Sequence, residues 1–153
     1  MMKSCFDIFR TAIFAGILIA IAGYGFLAGK SVGMFLFILG LAAVVSYQLK
    51  LYTGTVGFVK VKEIPTLLIV LAGNILGCFL VSLVAKLDTA MDIQSAAQGV
   101  LQSRLALGWW PCGVKAIGCG ILMSVAVHFA RKGKEMGYWI PLVFAVPLFI
   151  HCG

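Results

Sequence analysis

The sequence predicts an all-α protein, a polytopic helical bundle built for a membrane, and three observations carry the prediction. Of its 153 residues 62% are hydrophobic and only 11% are charged. The charges are spaced so that uncharged windows remain over residues 11–29, 31–49, 64–85, 116–130 and 136–153. Most of these approach the roughly 20 residues that cross a hydrocarbon core as a helix. The windows also lack the alternation of barrel strands, and a backbone in lipid must satisfy its polar groups internally, which leaves helices. One transmembrane domain is expected over 1–153, with helices at about 10–29, 31–50 continuing after a break as 55–61, then 64–85, 113–131 and 137–153.

The first helix follows the head MMKSCFDIFR, which has the look of a signal peptide. The apolar run behind it is too long for that, and no small-residue cleavage motif leading to a soluble protein follows, so a retained membrane helix is expected. Gly16, Ala20, Gly25 and Gly29 supply small side chains at which a neighbouring backbone can approach. Lys3 with Arg10, Lys60 with Lys62, and Arg131, Lys132 and Lys134 cluster at alternate ends of the windows. The positive-inside rule then puts the N-terminus in the cytoplasm. The net charge of +7 would suit nucleic acid in a soluble protein. Here the positions of the cations matter more, and the expected partner is the lipid bilayer, not nucleic acid.

The second run holds LKLYTGT, a lysine, two threonines and a glycine in an apolar setting. As one straight rod, residues 31–59 would extend about 43 Å, beyond the hydrocarbon thickness. A break at Thr53, Gly54 and Thr55 resolves this, because glycine accepts positive φ and threonine hydroxyls bond released backbone groups. Irregular backbone at membrane depth is stable where protein buries it or where it lines a cavity, and interrupted helices mark substrate routes in transporters. An ordinary helix end with an interfacial tail is the competing reading.

The third helix carries AGNILG, in which Asn74 is an amide in need of partners between Gly73 and Gly77. Residues 86–115 are polar and form the longest expected extramembrane segment. Arg104 there is either a fixed charge at a pore mouth or a solvated loop residue. Trp109 and Trp110 before Pro111 suit an interfacial belt where the fourth helix re-enters. That helix ends in the basic turn RKGKE, and the last window holds Pro141 and Pro147.

Five cysteines, Cys5, Cys78, Cys112, Cys119 and Cys152, show no CxxC spacing, and Cys78 and Cys119 read as packing residues in apolar windows. His128 and His151 read as helix-partner or interfacial residues before haem ligands. No cofactor or metal is expected. No nucleophile or general-base constellation suggests an enzyme.

Read together, FILGLAAVVSYQLKLYTGT, AGNILG and RLALGWWPCGVKAIGCGILMSVAVHFA resemble the formate/nitrite transporter family, with the motifs in the family's order. Leu51, Tyr52, Thr53 and Gly54 are similar to the family's L-F-T-[GS] loop, with Tyr for Phe. Phe37 and Leu41, fifteen and eleven residues before Tyr52, fit its apolar constriction, completed by Leu51 and Tyr52. Gly73, Asn74 and Gly77 fit G-N-x-x-G. Arg104 falls where the family has a vestibule lysine, and Cys119-Gly120 on a Cys-Asn pair.

The resemblance implies an aquaporin-like pentameric channel of small monovalent anions such as formate, nitrite or hydrosulfide, moving alone or with a proton, in a bacterial inner membrane. Its implied pore residues are Thr53, Gly54, Thr55, Arg104 and Asn74. It also implies a broken fifth helix with a central histidine beyond Gly153 and a sixth helix, so the chain resembles a member incomplete at its C-terminus. His151 precedes the expected break and is not given the histidine's role. The alternative is a structural or lipid- and partner-binding membrane protein, or an inactive fragment of a channel.

Overall fold

The computed structural model describes residues 4–87, 93–133 and 139–152, and these form helices joined by turns, with no strand among the described residues. Helix α1 is Cys5–Ser46, α2 Ile64–Ala85, α3 Ile93–Leu105, α4 Trp109–Lys132 and α5 Ile140–Cys152. Among the described residues three stretches are long and apolar enough to cross a membrane, Cys5–Gly29, Val61–Ala85 and Trp109–Lys132, with shorter apolar helices at Val32–Ser46 and Ile140–Ile150. The chain is an all-α integral membrane protein. Lys3 and Lys134, counted above toward orientation, lie outside the described residues.

Helix α1 opens where the Ser4 hydroxyl accepts the Phe6 N–H at 3.3 Å and Asp7 places negative charge in the first turn. Its backbone is helical throughout, yet it is not a rod. Gly40 lies against Leu18 and Ala22, and the Phe37 ring lies beside Gly23. A straight helix would hold residues 22 and 40 about 27 Å apart. The two arms therefore fold back on each other near Gly29–Gly33, where Gly33 meets the backbone of Gly25 and Phe26.

Helix α2 begins behind a tight turn in which Glu63 accepts the Lys60 N–H at 3.2 Å, with Pro65 in its first turn. It packs along the first arm of α1 in the same direction: Gly73 meets Ala12 and Phe9, and Gly77 meets Ile13, Gly16 and Ile17. Small residues four apart on both helices bring the backbones into contact. Cys78 sits in this seam, its thiol 3.5 Å from the Gly16 carbonyl.

The core is assembled from α1, α4 and α5, with Ala15, Leu41, Val44 and Val45 meeting Met123, Ala126, Val127 and Ala130 and then Leu142, Ala145 and Val146. Leu51 joins it from outside any helix. Three expectations are revised. Helix α4 starts at Trp109 instead of 113, so both tryptophans and Pro111 belong to its first turn. The polar segment 86–115 contains the helix α3, whose charged and amide side chains keep it exposed. The stretch expected to continue as helix over 55–61 forms two short 3-10 turns, Val56–Phe58 and Val61–Glu63.

Candidate functional site

The second arm of α1 ends at Ser46, seven residues before the break placed at Thr53, Gly54 and Thr55. Tyr47 N–H donates to the Ala43 carbonyl at 3.0 Å, and Leu49 N–H reaches back to Val44 at 2.9 Å. Between them Gln48 takes the left-handed φ of 52° that closes the helix. Gly54 therefore does not serve through positive φ, as expected; it serves through size. A Cβ on Gly54 would lie 2.7 Å from Val127 Cγ1, and one on Gly57 2.7 Å from Ser124 Cβ. Thr55 behaves as expected, its hydroxyl donating to the Leu51 carbonyl at 2.7 Å.

Asn74 holds this loop from α2. Its Oδ1 accepts the Tyr52 N–H at 2.8 Å, while Nδ2 donates to the Lys50 carbonyl at 2.9 Å and the Ala12 carbonyl at 2.8 Å. A primary amide has two N–H donors, and both are engaged on backbone. Asn74 thus joins three chain segments and positions the loop, with no N–H left for a ligand. Since Asn74 lies at the middle of α2, the loop sits within the depth of the bundle and not at its edge.

Helix α4 holds the same loop from the other side. Ser124 Oγ donates to the Thr53 carbonyl at 2.9 Å, Val127 packs on Gly54, the His128 ring stacks on Phe58 with centroids 4.5 Å apart, and Arg131 donates to the Leu49 carbonyl at 3.0 Å. The spacing 124, 127, 128, 131 is one helical face. Sequence reasoning missed Ser124, Val127 and Arg131. A signal existed in polar residues recurring at that spacing inside an apolar helix. His128, weighed above as a haem ligand, uses its ring face on Phe58. The His151 side chain lies outside the described residues.

The apolar candidates surround the loop's N-terminal side. Leu41 is fully buried and Leu51 is 7% exposed, both in the core, while Phe37 is half-buried with its ring 6.5 Å from that of Phe149 on α5. Tyr52 and Thr53 are partly buried. Among the described residues, neither the Thr53 and Gly54 amides nor the Thr53 hydroxyl donates a hydrogen bond. Arg104 is on the last turn of α3, partly buried, and no hydrogen bond or ion pair among the described residues joins it to the loop. Gly118 and Gly120 face open space on α4. The described His, Cys, Asp and Glu side chains form no metal-binding cluster.

The arrangement is a loop within the depth of the bundle with unengaged donors, following on from an apolar core that includes Leu41 and Leu51. Comparison with known proteins gives it a family. A solved structure described as a pentameric formate channel with formate bound shares the fold, with a TM-score of 0.75 and 24% identity, covering 95% of this chain and 68% of that one. A search of curated proteins returned no match. The family model described as formate/nitrite transporter matches residues 1–153, so the chain belongs to the formate/nitrite transporter family.

Proposed function

We propose that this chain forms a channel for small monovalent anions of the size of formate or nitrite, and that they pass at the loop 49–58. The observation that carries the reading is a helix that ends within the bundle in a loop held by Asn74 and Ser124, with the Thr53 hydroxyl and the Thr53 and Gly54 amides unengaged, following on from the core residues Leu41 and Leu51. An anion stripped of water in an apolar constriction faces a penalty of about several kcal/mol unless hydrogen-bond donors replace its shell. Thr53 and the loop amides are the donors for that exchange, and the side chains of Phe37, Leu41, Leu51 and Tyr52 exclude hydrated ions.

Arg104 is proposed to concentrate anions at one mouth through the positive potential of its guanidinium. Thr55 acts indirectly by holding the Leu51 carbonyl, and Asn74 by holding Tyr52. By likeness to the solved channel, the assembly is proposed to be a homopentamer, its exposed apolar faces covered by neighbouring copies and lipid. The proposed setting is a bacterial inner membrane with the N-terminus in the cytoplasm, and transport is proposed in place of catalysis.

Uptake of radiolabelled formate or nitrite into proteoliposomes tests the reading. Wild-type protein is expected to load the vesicles, and Thr53→Leu to reduce the initial rate by about tenfold, the effect of removing one partly buried donor. Vesicles no more permeable than empty liposomes would refute it.

A further inference from the structure

Five consecutive backbone carbonyls run through the loop, and each one is engaged. Leu49 accepts from Arg131 at 3.0 Å, Lys50 from Asn74 at 2.9 Å, Leu51 from the Thr55 hydroxyl at 2.7 Å, Tyr52 from the Thr55 and Val56 amides at 3.0 and 2.9 Å, and Thr53 from Ser124 at 2.9 Å. This pattern has an electrostatic consequence. Carbonyl oxygens lining a narrow route are the groups that coordinate cations in selective channels, and their partial negative charge repels anions. A released loop at membrane depth would therefore favour the wrong sign of ion. With these five successive oxygens held by donors and the Thr53 and Gly54 amides and the Thr53 hydroxyl unengaged, this stretch of backbone favours an anion.

Two of the five carbonyls are held from α4. Ser124 and Arg131 lie two helical turns apart on one face, and the residues between them on that face, Val127 and His128, pack against Gly54 and Phe58. The packing presses the loop onto α4, so that both polar side chains meet a carbonyl. Neither residue belongs to the loop or to the apolar constriction.

We propose that Ser124 and Arg131 are positioning residues for charge selectivity: by occupying the Thr53 and Leu49 carbonyls from α4, they mask two oxygens of the loop beside its unengaged Thr53 and Gly54 donors. This rests on the reading that anions pass at the loop. A purely structural role would lower flux for every ion alike. Carbonyl masking changes the ratio between anions and cations.

The test is the reversal potential of the reconstituted channel under a potassium formate gradient, which gives the formate-to-potassium permeability ratio. Ser124→Ala is expected to lower that ratio about tenfold, the effect of freeing one part-buried carbonyl, and Arg131→Leu to lower it in the same direction by less, because its bond to Leu49 is exposed. Arg131→Gln retains an N–H donor and is expected to stay within about threefold of wild type. Should Ser124→Ala not fold, Ser124→Cys, with a weaker donor in nearly the same volume, is expected to lower the ratio in the same direction. Variants that reduce current while leaving the ratio unchanged overturn this inference and leave the anion-channel reading intact. A wild-type protein that passes no formate overturns both.

Discussion

Asn74 and Tyr52 are 22 residues apart in the chain and are joined by a 2.8 Å hydrogen bond from the Tyr52 amide to the Asn74 side-chain oxygen. The bond ties the loop after α1 to the middle of α2, and the two N–H groups of the same amide fix Lys50 and Ala12. One buried side chain thereby sets the height of the loop and the register of two helices.

Replacing Asn74 with leucine is expected to cost about 2–4 kcal/mol, since it strands a buried N–H and two carbonyls. Asn74→Asp is expected to be as damaging, because a carboxylate would face the Ala12 and Lys50 carbonyls with no N–H to offer them. Thermal unfolding in detergent measures both. Wild-type melting behaviour in Asn74→Asp would contradict the hydrogen-bond assignment.

The seam between α1 and α2 predicts a contrast among glycines. A Cβ on Gly16 would meet the Asn74 carbonyl, and one on Gly77 the Ile13 carbonyl, so alanine at either forces the helices apart. A loss of about 1–3 kcal/mol is expected, the usual effect of overpacking. Gly99 on α3 has nothing within 4 Å, and Gly99→Ala is expected to stabilise by up to about 1 kcal/mol through helix propensity. The three melting temperatures, measured side by side, check the order.

Gly54 and Val127 form a pair suited to a double-mutant cycle. Gly54→Ala places a methyl 2.7 Å from Val127 Cγ1 and is expected to reduce stability and formate flux. Val127→Ala should relieve it, with a coupling of about 1 kcal/mol or more between neighbours in contact. Strictly additive losses would show that Gly54 is required for some other reason.

The stacked rings of Phe58 and His128 predict tolerance of shape and intolerance of deletion. His128→Phe keeps a ring on Phe58 and is expected to retain the fold. His128→Ala loses the contact and is expected to cost about 1 kcal/mol, loosening the turn that follows the loop. Limited proteolysis near Val59–Lys62 is a direct readout, and equal protection in both variants would remove the stack from the account.

Much of this protein is legible from residue order alone. Apolar windows of spanning length demand helices in lipid, since a chain without water must bond its own backbone, and this gave the all-α bundle and the approximate course of α1, α2 and α4. That residues 31–59 do not run as one rod was also legible, because they are too many for one crossing, although the helix ends at Ser46 and does not resume over 55–61. The tertiary structure decided where the helix stops and what holds the released backbone. Gln48 takes the left-handed turn because Asn74 and the α4 face pull the following residues into place, and Gly54 is small because Val127 lies against it. Those partners are 22 to 82 residues away, and local pattern carries no information about which distant donor will reach a given carbonyl. Periodicity reports which groups need partners; only the packed fold determines which partners they find.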